Sequence, residues 1–280
     1  MKQIIRLMRP RQWYKNTVVF IALFFTEQLF SMPEVAVSFI AFLALCLLSS
    51  ANYAINDIAD AKEDRRHPKK KDRPVASGAL SKGAALGIAI VLLLLSLILG
   101  SIISYAFASS LAVIFLLTLS YSLWLKREPI LDVLLIGINF VLRAVGGALA
   151  IDVKISPWLI ACAFLLSLFL GFSKRKAELL MLGKRSALHR KVFSYYTRTQ
   201  LESYTTVAMT SLIISYTLYT FLKSEFNLLI TAPIAVYGLL RYSYLVDKKA
   251  LTSPEEIFSD IRLAVTFLAW GAIVFVQIYR

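Results

Sequence analysis

Residues 52 to 74 read Asn-Tyr-Ala-Ile-Asn-Asp-Ile-Ala-Asp-Ala-Lys-Glu-Asp-Arg-Arg-His-Pro-Lys-Lys-Lys-Asp-Arg-Pro, and the interpretation of the whole chain starts from them. This stretch follows a long apolar run and passes from a ladder of carboxylates into a dense cationic loop. If the helix of the apolar run continues, a turn of about 100° per residue brings Asn56, Asp57, Asp60 and Asp64 onto one face. The pattern therefore predicts four converging oxygen-bearing side chains at the mouth of a membrane helix.

Carboxylates this close repel one another, and in a membrane each costs about 2.5 to 3.5 kcal/mol or more, so the cluster needs a compensating cation. Magnesium prefers hard oxygen ligands, usually one or two carboxylates completed by waters and substrate phosphates. We therefore predict a Mg²⁺ site at the cluster formed by Asn56, Asp57, Asp60 and Asp64. The alternative is a solvated helix end whose acids pair with nearby lysines and arginines.

The composition places the chain among multi-span membrane proteins. Of its 280 residues, 58% are hydrophobic, and the mean hydropathy is +0.69. We predict an all-α integral membrane protein that forms a single polytopic domain over residues 1–280. Nine apolar runs are long enough to cross a bilayer: 14–31, 34–58, 83–103, 105–125, 129–151, 156–178, 201–222, 226–246 and 260–279.

The distribution of basic residues predicts the orientation. Short cytoplasmic loops carry an excess of Lys and Arg, and a cytoplasmic amino terminus places all but four of the 31 basic residues at the inner ends of nine spans. The exceptions are Lys154, Lys223, Arg280 and Arg143 within a span. The net charge of +14 is spread over these loops rather than gathered in a soluble module, so it favours anionic lipid and an anionic substrate over nucleic acid.

Arg143 is an ionisable residue within the fifth predicted span. An isolated guanidinium is expensive there, so we expect it to face a polar interior and to bind a substrate phosphate bidentately. Asp132 and Asn139 fall on the same face of that helix. The alternative is an internal ion pair between Asp132 and Arg143, but eleven residues at about 1.5 Å each separate them by roughly 16 Å.

Two further clusters of mixed charge lie at the same predicted membrane depth. Lys174 and Glu178 are four residues apart at the end of the sixth span, so they share a helix face. Lys126 lies at the end of the fourth span, and Lys15 lies in the basic entry to the first. We expect these residues to surround one polar cavity on the cytoplasmic side. A surface salt bridge would equally explain Lys174 and Glu178.

The motif Asn56-Asp57-x-x-Asp60-x-x-x-Asp64 resembles the first aspartate-rich motif of the UbiA superfamily of intramembrane prenyltransferases, and the nine-span layout resembles its fold. Aromatic prenyltransferases of that superfamily carry a second aspartate-rich motif after the sixth span. Here that place holds Gly-Phe-Ser-Lys-Arg-Lys-Ala-Glu, residues 171–178. Together with Arg-Pro-Arg-Gln-Trp near the start, this is similar to the decaprenyl-phosphate phosphoribosyltransferase branch.

This resemblance implies a Mg²⁺-dependent enzyme that transfers 5-phosphoribose from phosphoribosyl pyrophosphate to a polyprenyl phosphate. It implies that Asn56, Asp60 and Asp64 hold the Mg²⁺ ion. It also implies catalytic roles for Asp60, Asp64, Lys174 and Glu178 around the leaving pyrophosphate and the ribose. The substrate-binding residues that it implies are Lys15, Asn56, Asp57, Arg66, Lys71, Arg73, Lys126, Arg143 and Lys174.

Two other functions remain open at this point. A UbiA-type aromatic prenyltransferase would use a polyprenyl diphosphate donor, although the missing second acidic motif disfavours it. A transporter could use the acidic stripe for ion coupling, but the charges gather at one face rather than at the membrane midplane. The sequence leaves lipid length and oligomeric state open, including a homo-oligomer.

Overall fold

The computed structural model describes residues 2–66, 70–182, 191–222, 227–249 and 260–280, and over these ranges its regular structure is helical. Eight helices in these ranges are long and apolar enough to cross a membrane. They are α3 (Met32–Ala59), α5 (Lys82–Ile103), α6 (Tyr105–Leu123), α7 (Leu131–Ala150), α8 (Pro157–Leu182), α9 (Arg198–Leu222), α10 (Ala232–Lys249) and α11 (Ile261–Tyr279). The shorter helices are α1 (Lys2–Met8), α2 (Ile21–Phe25) and α4 (Ala61–Asp64). The all-α membrane class is thereby confirmed.

The first predicted span, 14–31, is not confirmed as a ninth long helix among the described residues. In its place, a 3₁₀-helix over Pro10–Phe20 leads into the five-residue α2. The chain then leaves helical geometry, with Glu27 in the left-handed region at φ 61°. Glu27 and Gln28 are polar, and Pro33 lies within the first turn of α3, so the apolar run is too short for one continuous helix.

The residues group into two compact units, and the prediction of one domain over 1–280 stays a prediction. The first unit comprises Met1–Leu125 and Leu142–Ile155, and the second comprises Lys126–Val141 and Ser156–Arg280. Helix α7 therefore contributes its first half to the second unit and its second half to the first.

In the first unit, small residues on α3 let neighbouring helices approach closely. Ala41 and Ala44 are fully buried beside Leu45 and Leu48, and α5 packs along this surface. Gly147 of α7 lies against the backbone of Val19, where an added Cβ would fall 2.0 Å from the carbonyl oxygen. The 3₁₀-helix is thus held directly against α7.

The core of the second unit is richer in aromatic side chains. Phe169 and Tyr242 pack with ring centroids 5.6 Å apart, and Phe172 packs on Tyr204 at 5.4 Å. Helices α8 and α9 run side by side through this core. In both units large apolar side chains such as Ile102 are exposed, as expected for helices whose solvent is lipid.

Replacing Gly147 by Ala is expected to destabilise the protein by about 1–3 kcal/mol or more, because the new methyl group overlaps backbone that cannot rotate away. Gly87 of α5 is the matched control, since a Cβ there meets nothing within 4 Å. Thermal unfolding in detergent should show a lower midpoint for Gly147→Ala only. Equal midpoints for both variants would contradict the close approach.

Candidate active site

The predicted carboxylates lie on consecutive helical turns that continue beyond the end of α3. The N–H of Asp60 donates to the carbonyl of Asn56 at 2.9 Å, and the N–H of Asp64 donates to the carbonyl of Asp60 at 2.8 Å. The backbone therefore carries the helical repeat from α3 through α4. We call Asn56, Asp57, Asp60 and Asp64 the acidic ladder.

Two members of the acidic ladder are buried and share two arginines. Asp57 is 1% exposed and Asp64 is 3% exposed. Arg73 places Nη1 2.6 Å from Oδ2 of Asp64 and 3.4 Å from Oδ1 of Asp57, and Arg9 forms an ion pair with the same Oδ1. Arg9, Asp57, Arg73 and Asp64 thus form an alternating series, the arginine–aspartate chain. Its charges cancel pairwise, which offsets the cost of burial.

Arg9 is a site residue that the sequence analysis missed. It lies between α1 and Pro10 in the left-handed region, at φ 53°, a conformation that costs free energy for any residue except glycine. Its guanidinium lies 5.0 Å from the centroid of the Tyr53 ring. The basic stretch at the start of the chain was visible, but nothing in it distinguishes Arg9 from its neighbours.

Residues 70–76, the described part of the cationic loop after α4, fold back over the end of α3. Arg65 donates to the carbonyl of Ala76 at 3.0 Å, and Arg6 of α1 donates to the carbonyl of Asp72 at 3.1 Å. Val75 is buried in a small core with Leu7. These contacts bring Arg73 to the acidic ladder. The predicted substrate-binding residues Arg66 and Lys71 are exposed, and residues 67–69 lie outside the described ranges.

The oxygen atoms of the acidic ladder determine whether a cation can bind there. Oδ2 of Asp57 is buried, and no described residue donates a hydrogen bond to it. Asn56 and Asp60 are half-buried one turn apart. Within the described residues no three acidic, histidine or cysteine side chains are arranged to hold a metal by themselves. The donor set fits a magnesium ion that needs one or two carboxylates and completes its shell with waters and phosphate oxygens.

Arg143 is held by the 3₁₀-helix of the first unit. Its Nε donates to Oδ1 of Asn16 at 3.0 Å, and Oγ of Ser49 donates to the same oxygen at 3.2 Å. Asn16 is 1% exposed and also donates to Sγ of Cys46 at 3.4 Å. The predicted Lys15 instead donates to Oε1 of Gln12 at 2.6 Å. Asn16 is therefore the residue of this segment that contacts Arg143.

The alternative of an internal pair between Asp132 and Arg143 is wrong. Asp132 is fully buried, and its Oδ2 accepts from Nε of Arg175 at 2.7 Å. Its Oδ1 accepts from the hydroxyl of Tyr196 at 2.8 Å. We call Asp132, Arg175 and Tyr196 the buried triad. The sequence analysis identified neither Arg175 nor Tyr196 as a functional residue.

The buried triad touches one predicted site residue directly. Nη1 of Arg175 lies 3.2 Å from Oε2 of Glu178, so the two are paired along α8. Lys174 and Lys126 are half-buried. The next basic residue, Lys176, is buried and pairs with Asp247 of α10 at 2.5 Å. Of three consecutive basic residues, two are therefore buried and held in ion pairs, Arg175 with the buried Asp132 and Lys176 with the exposed Asp247.

Tyr196 remains a hydrogen-bond donor at physiological pH. Burial is the main cause that raises the pKa of its hydroxyl above the usual value. The Ile130 N–H lowers that pKa in part, the hydrogen bond and charge of Asp132 raise it, and the charge of Arg175 lowers it slightly. Since the usual value is already near 10, the phenol stays protonated. It cannot serve as a general base near neutral pH.

Comparison with known sequences shows what the chain is similar to. The profile of the UbiA prenyltransferase family matches residues 17–271. The decaprenyl-phosphate phosphoribosyltransferase of Corynebacterium glutamicum is 33% identical over 288 residues, which cover 99% of this chain and 86% of that protein. The enzyme of the same name from Mycolicibacterium smegmatis is 31% identical over 294 residues, covering 99% of this chain and 92% of that protein.

Comparison with solved structures finds the same fold. A UbiA homolog from Archaeoglobus fulgidus bound to GPP and Mg²⁺ has a TM-score of 0.75 at 19% identity, covering 99% of this chain and 100% of that one. A structure of digeranylgeranylglyceryl phosphate synthase has a TM-score of 0.68 at 17% identity, covering 99% and 96%. At these identities the likeness concerns the fold alone.

A double-mutant cycle tests the arginine–aspartate chain. Arg9→Met is expected to lower stability by about 2 kcal/mol, because Asp57 then keeps only the longer contact with Arg73. Arg9→Met combined with Asp57→Asn should recover part of that loss, since no unpaired buried charge remains. The control is Arg11→Met, which changes an exposed arginine two residues away. Additive losses in thermal unfolding would show that the two side chains are not coupled.

Proposed function

Because the chain belongs to the UbiA prenyltransferase family, we propose that it transfers 5-phosphoribose from phosphoribosyl pyrophosphate to a polyprenyl phosphate and releases pyrophosphate. One observation carries this proposal: the similarity to decaprenyl-phosphate phosphoribosyltransferases covers 97–99% of the chain. The side chains are consistent with it, because the end of α8 offers Lys174 and a single nearby acid, Glu178, instead of a second acidic cluster.

Asn56, Asp60 and Asp64 of the acidic ladder would hold a Mg²⁺ ion, which would supply charge neutralisation for the leaving diphosphate. Asp57 keeps Arg9 and Arg73 in place beside these oxygens. Arg73 has a second role, because its guanidinium can form charge-assisted hydrogen bonds with phosphate oxygens at the edge of the ladder.

The transfer breaks the bond between the anomeric carbon and the pyrophosphate oxygen, and it forms a bond from the same carbon to an oxygen of the lipid phosphate. Glycosyl transfer passes through an oxocarbenium-like transition state. The attacking phosphate oxygen is already ionised at neutral pH, so no residue has to remove a proton from it. The absence of a required base agrees with a tyrosine, Tyr196, that stays protonated.

The remaining predicted residues bind phosphates. Arg143, oriented by Asn16, and the lysines Lys126 and Lys174 bind the ribose 5-phosphate or the lipid phosphate. Glu178 orients a lysine or a ribose hydroxyl. Lys15 and the exposed loop cations Arg66 and Lys71 attract the polyanionic donor through long-range electrostatics.

We propose that the protein lies in the cytoplasmic membrane with its amino terminus and its polar cavity on the cytoplasmic side, as the distribution of basic residues predicts. The ninth crossing predicted over residues 14–31 is part of this proposal, and the chain there begins as a 3₁₀-helix and continues as α2. Nine crossings from a cytoplasmic amino terminus place the carboxyl terminus on the outer side of the membrane.

The reaction is tested with purified protein, Mg²⁺, labelled phosphoribosyl pyrophosphate and a polyprenyl phosphate. The expected result is a labelled lipid that partitions into organic solvent, together with released pyrophosphate. Robust prenylation of an aromatic acceptor without that lipid would instead support an aromatic prenyltransferase. Ion-coupled uptake into proteoliposomes without a covalent product would support a transporter.

Removing a ladder carboxylate is expected to abolish this activity while the protein stays folded. Asp60→Asn and Asp64→Asn should each lower kcat/KM at least about 100-fold, since the lost oxygen charge acts on the leaving diphosphate. Glu63→Gln is the matched control, because Glu63 lies in the same short helix but is exposed. Near-normal turnover in either aspartate variant would refute the metal assignment.

A further inference from the structure

We infer that the buried triad is a positioning centre, which holds Lys126, Lys174 and Glu178 in place to bind a phosphomonoester group of a substrate. This inference rests on the proposed function, because it concerns the phosphate-binding residues named there. It assigns a role to Asp132, Arg175 and Tyr196, which contact those residues or their segments rather than the reacting atoms.

The buried triad connects three separate segments of the second unit. Asp132 lies in the first turn of α7, Arg175 lies near the end of α8, and Tyr196 follows the 3₁₀-turn Lys191–Ser194. The exposed fractions of Asp132, Arg175 and Tyr196 are 0%, 2% and 6%. A buried ion pair of this kind contributes little net stability compared with apolar packing, but it tolerates very little displacement of its partners. It therefore fixes geometry.

The first segment that the triad holds carries Lys126. Ile130 has a φ of +67°, which is rare for a β-branched residue and costs free energy. Its N–H donates to the hydroxyl of Tyr196 at 2.5 Å, and the same hydroxyl donates to Asp132. The hydrogen bond thus stabilises a strained turn, and Lys126 lies in the 3₁₀-turn Leu125–Arg127 just before it.

The second segment carries Lys174 and Glu178. At about 100° per residue, Lys174 and Glu178 lie 40° apart, and both fall on the same side of Arg175. Lys176 falls on the opposite side and is tied to Asp247. Two ion pairs on α8 therefore set the rotation of its last turns. That rotation decides where Lys174 and Glu178 point.

The chemistry of the positioned residues suits a phosphomonoester. Such a group carries between one and two negative charges near neutral pH and accepts several hydrogen bonds. Two lysines match its charge, and the acid Glu178 can hold one lysine or a neighbouring hydroxyl. Both substrates carry this group, the donor as its ribose 5-phosphate and the acceptor as its lipid phosphate.

The test uses Tyr196→Phe in the full-length protein, because this variant keeps the ring and removes only the hydroxyl that joins Ile130 to Asp132. Asp132→Asn is less informative, since it removes the buried counter-charge of Arg175, leaves only the partly exposed Glu178, and endangers folding. The matched control is Tyr216→Phe. The hydroxyl of Tyr216 also joins two partners, Thr231 at 2.5 Å and Trp270 at 2.8 Å, in the same unit.

Binding is measured by calorimetry in detergent, with ribose 5-phosphate in one arm and farnesyl phosphate in the other. Tyr196→Phe is expected to weaken the affinity for at least one of the two probes about tenfold, and the affected probe identifies which phosphate is bound. The affinities of Tyr216→Phe should stay within about twofold of those of the unchanged protein. In turnover the KM of the corresponding substrate should rise, with kcat little changed.

Equal affinities in the unchanged protein and in Tyr196→Phe would overturn the inference. Equal losses of affinity in Tyr196→Phe and Tyr216→Phe would also overturn it. So would a failure of the unchanged protein to bind either probe. The binding arms are independent of catalysis. If probe binding depends on Tyr196 but no labelled lipid is made, the positioning role stands and the proposed reaction fails. If the lipid is made and binding ignores Tyr196, only the positioning role fails.

Discussion

The site depends on the burial of two carboxylates that share two arginines. Asp57 and Asp64 could not lie at the end of a membrane helix without compensation, and Arg9 and Arg73 reach them from segments on either side of α3 in the sequence. The arrangement leaves one buried oxygen of Asp57 without a donor among the described residues. Arg9 and Arg73 cancel the charges of Asp57 and Asp64, so the buried carboxylates are stabilised before any cation binds.

This constraint also explains the structure around the site. The left-handed backbone at Arg9 and the folded-back cationic loop both cost conformational freedom, and both deliver a guanidinium to the same carboxylate. In the second unit the end of α8 follows a similar principle. Asp132 and Asp247 form ion pairs with Arg175 and Lys176, so two of the three consecutive basic residues are held by acids of other helices.

Sequence periodicity was sufficient for features that depend on local geometry. The acidic ladder follows from the helical repeat, and the membrane class follows from long apolar runs. Features that depend on distant partners were not predictable. Three consecutive basic residues look alike until Asp132, 43 residues away, pairs with Arg175. The first predicted span is not confirmed as a long helix, because the chain there is largely 3₁₀ rather than α-helix.

The most direct test replaces Mg²⁺ by Mn²⁺ and records pulsed electron paramagnetic resonance spectra with phosphoribosyl pyrophosphate. The account predicts a ³¹P coupling to protein-bound Mn²⁺ when the donor is added, and its loss in Asp60→Asn with retention in Glu63→Gln. An unchanged ³¹P coupling in Asp60→Asn, or tight Mn²⁺ binding that shows no coupling to the donor, would contradict a ladder that joins metal and diphosphate.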